Sequence, residues 1–214
     1  MTAIPRRGLC LVLAAPSGAG KTAITEALMG LDPDLERSVS VTTRAPRPGE
    51  IDGVHYHFMT EAGFAEAERA GKLLEWARVL RGTHAYGTPA EPVERTLAAG
   101  RDLVFDIDWQ GFRSMQAKLP DDVVGVFILP PDLATLEHRL RGRGGDTPEE
   151  IARRMNAARE EISHWTEFDH IVVNDDLPTA IAEVRAIVQA ERLRRHRRTG
   201  IHTFVLGLGV TAGT

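Results

Sequence analysis

Short apolar runs without alternation recur along the chain at 8–14, 103–107, 123–129 and 171–173. A strand buried on both faces of a parallel sheet has this pattern, because neither face meets water. The stretches between the runs carry helical periodicity. The pattern therefore predicts an α/β fold, a parallel sheet flanked by helices. Two segments interrupt it. Residues 38–89 combine the alternating His55-Tyr56-His57-Phe58 with an Ala/Glu-rich helix over 61–70, which reads as a small α+β insertion. Residues 132–165 read as two helices joined by the turn Gly142-Arg143-Gly144-Gly145-Asp146. The second opens on Thr147-Pro148-Glu149-Glu150, a capping box with proline at the first helical position. Ile151, Met155, Ala158, Ile162 and Trp165 then share one face, so this helix packs against something. One domain over 1–214 is expected: a core of 1–37, 90–131 and 166–200, insertions at 38–89 and 132–165, and a tail of 201–214 whose role stays open.

Composition narrows the class. The chain has 214 residues, 43% hydrophobic and 26% charged, enough to bury a core and unlike a disordered chain. Its 26 basic and 30 acidic residues give a net charge of -4, so neither nucleic acid nor a membrane surface is an expected partner. Any anion site must be local. The single cysteine, Cys10, sits in an apolar run and reads as a buried small hydrophobe; no disulfide can form within the chain. The start MTAIPRRGLCLVL imitates a signal peptide, but its apolar run is short and feeds into a glycine loop. No apolar run is long enough to span a bilayer, and a cytoplasmic protein is expected.

The chemistry begins at Ala15-Pro16-Ser17-Gly18-Ala19-Gly20-Lys21-Thr22. It follows a buried strand and opens a helix, the context a Walker A loop requires. Glycines let backbone N–H groups turn inward around phosphate, and the helix N-terminus adds partial positive charge. Lys21 would reach the β- and γ-phosphates of ATP, and the Thr22 hydroxyl would ligate Mg²⁺. The consensus begins with glycine where this chain has Ala15; a positive φ there would strain alanine.

With APSGAGKT, the later stretches SVTTRAPRPGEIDGVHYHF, LLEWARV, LVFDIDWQG, RLRGRGGDTPEEI and IVVNDDL resemble guanylate kinase in the same order, from about Leu9 to about Leu193. The resemblance implies phosphoryl transfer from ATP to GMP, giving ADP and GDP, with Mg²⁺ entering with ATP. It also implies that the first insertion binds GMP and the second is a lid over ATP. Arg44 and Arg47 lie three apart in a Pro/Gly-bounded loop, and their planar forks suit bidentate bonds to the acceptor phosphate. By resemblance Ser40, Tyr56 and Tyr86 add hydroxyl contacts to that phosphate. Glu75, acidic amid apolar neighbours, would accept from guanine N1–H and N2–H, which adenine cannot match. Thr88 matches a family hydroxyl position that would donate to guanine O6. The stretch ARVLRGTHAY before Gly87 is two residues longer than the family spacing, which makes His84 an alternative to Tyr86 in the phosphate pocket.

Asp106 and Asp108 follow a buried strand, where α/β proteins place catalytic groups. Two apart on an extended chain they point oppositely, so one at most lines the site. Asp106 is placed near GMP and the Mg²⁺ water shell, and Asp108 in organising the turn after it. Arg139 and Arg143, four apart on the first lid helix, and Arg154 on the second are assigned by resemblance to the triphosphate and the transferring group. Asn174 is assigned, also by resemblance, to adenine. His55 and His57 lack a third metal ligand, and the run RLRRHRR at 192–198 reads as a charged helix end. A related P-loop kinase with another phosphorylated acceptor would lack the Glu75 context and the TTRAPRPGE loop. An inactive binding module would lack an intact Lys21 and Thr22. The sequence leaves the oligomeric state open, a homo-oligomer included.

Overall fold

The computed structural model describes residues 4–79, 83–142 and 147–210. In chain order the elements are β1 (Cys10–Ala14), α1 (Lys21–Leu31), β2 (Leu35–Arg37), β3 (Val41–Thr42), β4 (His57–Phe58), α2 (Glu61–Arg69), β5 (Leu73–Val79), β6 (His84–Pro89) and α3 (Ala90–Ala98). They continue with β7 (Asp102–Phe105), α4 (Trp109–Lys118), β8 (Val123–Leu129), α5 (Leu133–Arg141), α6 (Pro148–Ser163), β9 (His170–Val173), α7 (Leu177–Arg192) and α8 (Ile201–Gly207).

The apolar runs form one parallel sheet of order β2-β7-β1-β8-β9. Strand β1 lies at its centre with every residue buried. Leu9, Leu11 and Leu13 pack on one side with Ile24 and Leu28 of α1 and Val184 and Val188 of α7. Cys10, Val12 and Ala14 pack on the other with Val93 and Leu97 of α3 and Phe112 and Met115 of α4. Helices on both faces explain the missing alternation. Burial pushes the Cys10 thiol up, out of the reactive range. The chain leaves β1 toward β2 and β7 on one side, whereas β8 and β9 lie on the other. Ligands of open α/β sheets bind beyond strand ends at such a switch point, and here the glycine loop follows β1.

The first insertion builds a second sheet, β4-β3-β6-β5, in which β5 and β6 are an antiparallel hairpin. Phe64 of α2 packs beneath it with Val41, Leu73 and Ala85. In the second insertion, Leu136 and Leu140 of α5 pack on Ile151, Met155 and Ala158 of α6. The capping box is present in both directions: the Thr147 hydroxyl accepts from the Glu150 N–H, and the Glu150 carboxylate accepts from the Thr147 N–H. Trp165 departs from the expected apolar face. Helix α6 ends at Ser163, and Trp165 lies exposed in the 3₁₀ turn that follows.

The basic run near the C-terminus is part of the scaffold. Arg192 closes α7 against Asp32 and Asp102, and Arg197 is buried against the Gly8 and Asp122 carbonyls. The tail continues as α8, whose Phe204 and Leu206 are exposed. No helix among the described residues is long and apolar enough to cross a membrane.

Candidate functional site

Two glycines shape the loop between β1 and α1. Gly18 and Gly20 have φ of 94° and 101°, the left-handed region that costs an L side chain strain. Ala15, where the consensus has glycine, packs against the core cluster behind β1. Ala15, Pro16, Ser17, Gly18, Gly20, Lys21 and Thr22 line a cavity of about 290 Å³. Ala19 is buried behind it, and its carbonyl accepts from the Asn174 side-chain amide at 2.7 Å. Asn174, assigned by resemblance to adenine, is buried beneath the loop, where it braces Ala19. A Cβ on Gly20 would collide with that same amide.

The loop from β7 to α4 reaches two places with two carboxylates. Asp106 pairs with the Lys21 ammonium. Asp108 caps α4, accepting from the Gly111 N–H at 2.9 Å, and its charge helps raise the pKa of Glu75. The two side chains nonetheless line one cavity together with Lys21 and Glu161, so the expectation that at most one of them faces the site does not hold.

In the first insertion, Arg44 is held by Glu50 through two guanidinium bonds of 2.9 and 2.8 Å and donates through Nε to the Tyr86 hydroxyl at 3.3 Å. It also lies over the Tyr56 ring, 5.5 Å from the centroid, and Tyr56 meets Tyr86 edge-on. Arg44, Tyr56 and Tyr86 are thus brought together. Glu50 also accepts from the Arg47 backbone N–H at 2.7 Å, and Arg44 holds its carboxyl down at about 2. Arg47 itself is exposed at the loop rim. Ser40 enters β3, its carbonyl accepting from the His57 N–H. Glu50 escaped the sequence reading, although a carboxylate six residues from Arg44 in one short loop was a usable signal. The His55 ring accepts from the Ile51 N–H.

The hairpin register decides between Tyr86 and His84. Ala77 pairs with Tyr86 and Glu75 with Thr88, while Val79 pairs with His84 near the tip. Tyr86 is the hydroxyl that lies beside Arg44. Thr88 donates to Glu75 Oε1 at 2.6 Å, and both side chains are buried. Burial pushes the Glu75 carboxyl above the usual range, against the pull of the Thr88 hydrogen bond.

From the lid, Arg139 reaches the Asn174 carbonyl with both terminal nitrogens at 3.1 Å. Arg154 is half-buried on α6; Glu150 nearby is held below the usual range by hydrogen bonds from Thr147, with Arg153 and Arg154 adding smaller contributions. Arg143 lies outside the described residues. Glu161 of α6 was missed entirely. It lines the loop cavity with Ser17 and Lys21, and burial pushes its carboxyl up. It lies 140 residues from the loop, so no local signal reveals it.

For a metal, the cavity offers the exposed Thr22 hydroxyl and the carboxylates of Asp106 and Glu161. No cluster of three or more His, Cys, Asp or Glu among the described residues is arranged to hold an ion. A few hard oxygen donors beside an open phosphate loop fit Mg²⁺, which keeps waters and takes substrate phosphates as ligands.

The family model for guanylate kinase matches residues 7–191. The guanylate kinase of Gluconobacter oxydans is 58% identical over 201 residues, covering 94% of this chain and 96% of its own. That of Rhizobium meliloti is 54% identical over 205 residues, covering 96% and 93%. The crystal structure of guanylate kinase from Anaplasma phagocytophilum superposes with a TM-score of 0.73 at 29% identity, covering 97% of this chain and 99% of that one. Sharing more than half its residues with such relatives along nearly their whole length, the chain belongs to the guanylate kinase family, enzymes that phosphorylate GMP with ATP.

Proposed function

We propose that this chain transfers the γ-phosphoryl group of ATP to GMP through two separately built sites joined by one loop. The observation that carries the reading is the step from Asp106 to Asp108: the first pairs with Lys21 of the phosphate loop and both line a cavity with it, while the charge of the second adds to the burial that raises the Glu75 carboxyl. Donor phosphates and acceptor base thus address a single short segment.

The loop 15–22 would hold the ATP phosphates by backbone N–H groups, with Lys21 neutralising the β- and γ-phosphates. The residues that would hold Mg²⁺ are Thr22 directly and Asp106 through water. Bound Mg²⁺ would supply charge neutralisation on the phosphate oxygens. On the acceptor side, the GMP phosphate would replace the Glu50 carboxylate on Arg44, with Arg47, Tyr56, Tyr86 and Ser40 around it. Glu75 would accept from guanine N1–H and N2–H, and Thr88 holds Glu75 in position. The acceptor oxygen is already anionic, so no general base is required. Arg139, Arg143 and Arg154 of the lid would meet the charge that spreads over the transferring group. Asn174 would act from below, fixing the loop. A cytoplasmic location, where ATP and GMP are at hand, goes with this reading.

The test is ADP formation from ATP and Mg²⁺ with GMP, AMP, CMP or UMP as acceptor. Turnover confined to GMP, and collapsing in Glu75→Ala, is the expected result. Turnover of another monophosphate at a similar rate, or of none, would overturn it.

A further inference from the structure

Trp109 opens α4 directly after the capping Asp108, and it lines the cavity of about 150 Å³ that Lys21, Asp106, Asp108 and Glu161 share. The end of the second insertion meets it there. His164, which follows the last residue of α6, stacks its ring on the indole with centroids 3.6 Å apart and planes 13° from parallel. Arg113 of α4 lies over the same indole, 4.7 Å from the ring centroid. Glu167, in the 3₁₀ turn after α6, joins the two: its carboxylate accepts from Arg113 Nε and Nη2 at 2.6 and 2.7 Å and from His164 Nδ1 at 2.7 Å.

Attachment alone does not require this cluster, because Ile162 of α6 already packs against the core that contains Phe112. A ring stack and a two-bond ion pair add orientation, which an apolar contact leaves loose. What they orient is the helix that carries Arg154, and with it α5, which packs on α6 and carries Arg139. Charges that meet a transferring group must be held to within about 0.5 Å of their working position.

We propose that His164 is a positioning residue: stacked on Trp109 and held by Glu167, it seats the end of α6 on the wall of the phosphate cavity and so aligns the lid arginines with Lys21 and Asp106. Neither ring carries a charge or fork built for a phosphate, and Arg44, Glu75 and the loop backbone lie outside the cluster. Its loss therefore falls on the transfer step and not on substrate capture. This inference rests on the phosphoryl-transfer reading.

The experiment is steady-state phosphotransfer from ATP to GMP by wild type, His164→Ala, His164→Phe, Trp109→Leu, the double variant His164→Ala/Trp109→Leu and the exposed neighbour Trp165→Ala, each below its own melting transition. His164→Ala and Trp109→Leu should each lower kcat roughly 10- to 100-fold with KM for ATP and GMP nearly unchanged. His164→Phe keeps a flat ring on the indole and should recover most of the rate, and Trp165→Ala should match wild type. The double variant should be no worse than the poorer single one, because both remove the same contact. A lower melting temperature with kcat intact in His164→Ala, or independent losses that multiply in the double variant, overturns the proposal. Absence of GMP turnover in wild type would instead remove the phosphoryl-transfer reading beneath it.

Discussion

Thr88 donates its hydroxyl hydrogen to Glu75 at 2.6 Å, and the two are direct partners across the β5–β6 hairpin. The contact fixes one carboxylate oxygen of a buried acid and leaves the rest of its accepting capacity for a ligand. Glu75→Gln places an N–H where guanine also donates, so kcat/KM for GMP should fall roughly 100-fold or more. The pH dependence follows from the raised carboxyl, since burial pushes it up. Only the ionised form accepts both guanine donors, so kcat/KM for GMP should fall on the acid side at a higher pH than an ordinary glutamate would give. For stability the sign is opposite. A raised folded-state pKa contributes stability that is full below the unfolded value and lost as pH rises through the folded one. Glu75→Gln should therefore melt higher than wild type at neutral pH while being the poorer enzyme, measurable by paired thermal scans and rate profiles.

Arg44, the centre of the proposed acceptor clamp, is occupied by Glu50 on both terminal nitrogens. Arg44→Lys keeps the charge but loses the fork, so KM for GMP should rise roughly 10- to 100-fold with little change in KM for ATP. Glu50 titrates at about 2 because Arg44 holds it down. A depressed carboxyl contributes stability above its unfolded pKa and loses it as pH falls through the folded value. Wild type should accordingly lose thermal stability between pH 5 and about 2 more steeply than Glu50→Gln. The pair is open to solvent, so added salt should shrink the difference.

The phosphate loop makes a different demand, on backbone conformation. Gly20 has φ of 101° and lies against the Asn174 amide that grips Ala19. Gly20→Ala would add left-handed strain of roughly 1–2 kcal/mol and push that brace aside. ATP affinity should drop at least tenfold by titration, with GMP affinity preserved. Lys21→Met should leave the loop shape intact and lower kcat roughly 100- to 1000-fold, the range for losing a preorganised charge at a transferring group.

Residues that act through sequence-local geometry were legible, and those that act across the fold were not. The run 8–14 announced a strand buried on both faces because Leu11 and Val12 each face a helix layer. Thr147 and Glu150 announced their own helix start, since a capping box is complete within four residues. Tyr86 could not be separated from His84 by spacing alone, because only the strand register and the contact with Arg44 show which of the two lies in the cluster. Asn174 was placed at the base by motif, yet its burial under Ala19 depends on β9 lying beside β8. Glu161 had no local mark whatever, since the phosphate loop whose cavity it lines is far from it in sequence. Trp165 satisfied helical periodicity on paper, but α6 stops two residues before it.

The basic run 192–198 reads on the page as a surface feature, whereas Arg192 binds Asp102 and Asp32 at 2.7 and 2.6 Å. Asp102 is fully buried, and it also accepts from Arg6 at 2.6 and 3.0 Å and from the Leu9 N–H at 2.9 Å. One carboxylate thus ties the N-terminus, β7 and the end of α7 together at the edge of the sheet away from the phosphate loop. Removing one member of a buried charged network leaves the others unpaired in a medium that penalises bare charge. Asp102→Ala should therefore destabilise the chain by roughly 3–5 kcal/mol in urea unfolding, since two guanidinium groups and an amide lose their acceptor. Arg192→Ala should cost less, because Arg6 and Leu9 still satisfy Asp102. Neither should change KM for GMP below the unfolding transition. Arg194→Ala, at an exposed side chain whose partner Glu191 also meets Arg197, should change stability by less than about 1 kcal/mol. That ordering, Asp102 above Arg192 above Arg194, distinguishes a scaffold network from a solvated charged end, which would give three small and equal effects.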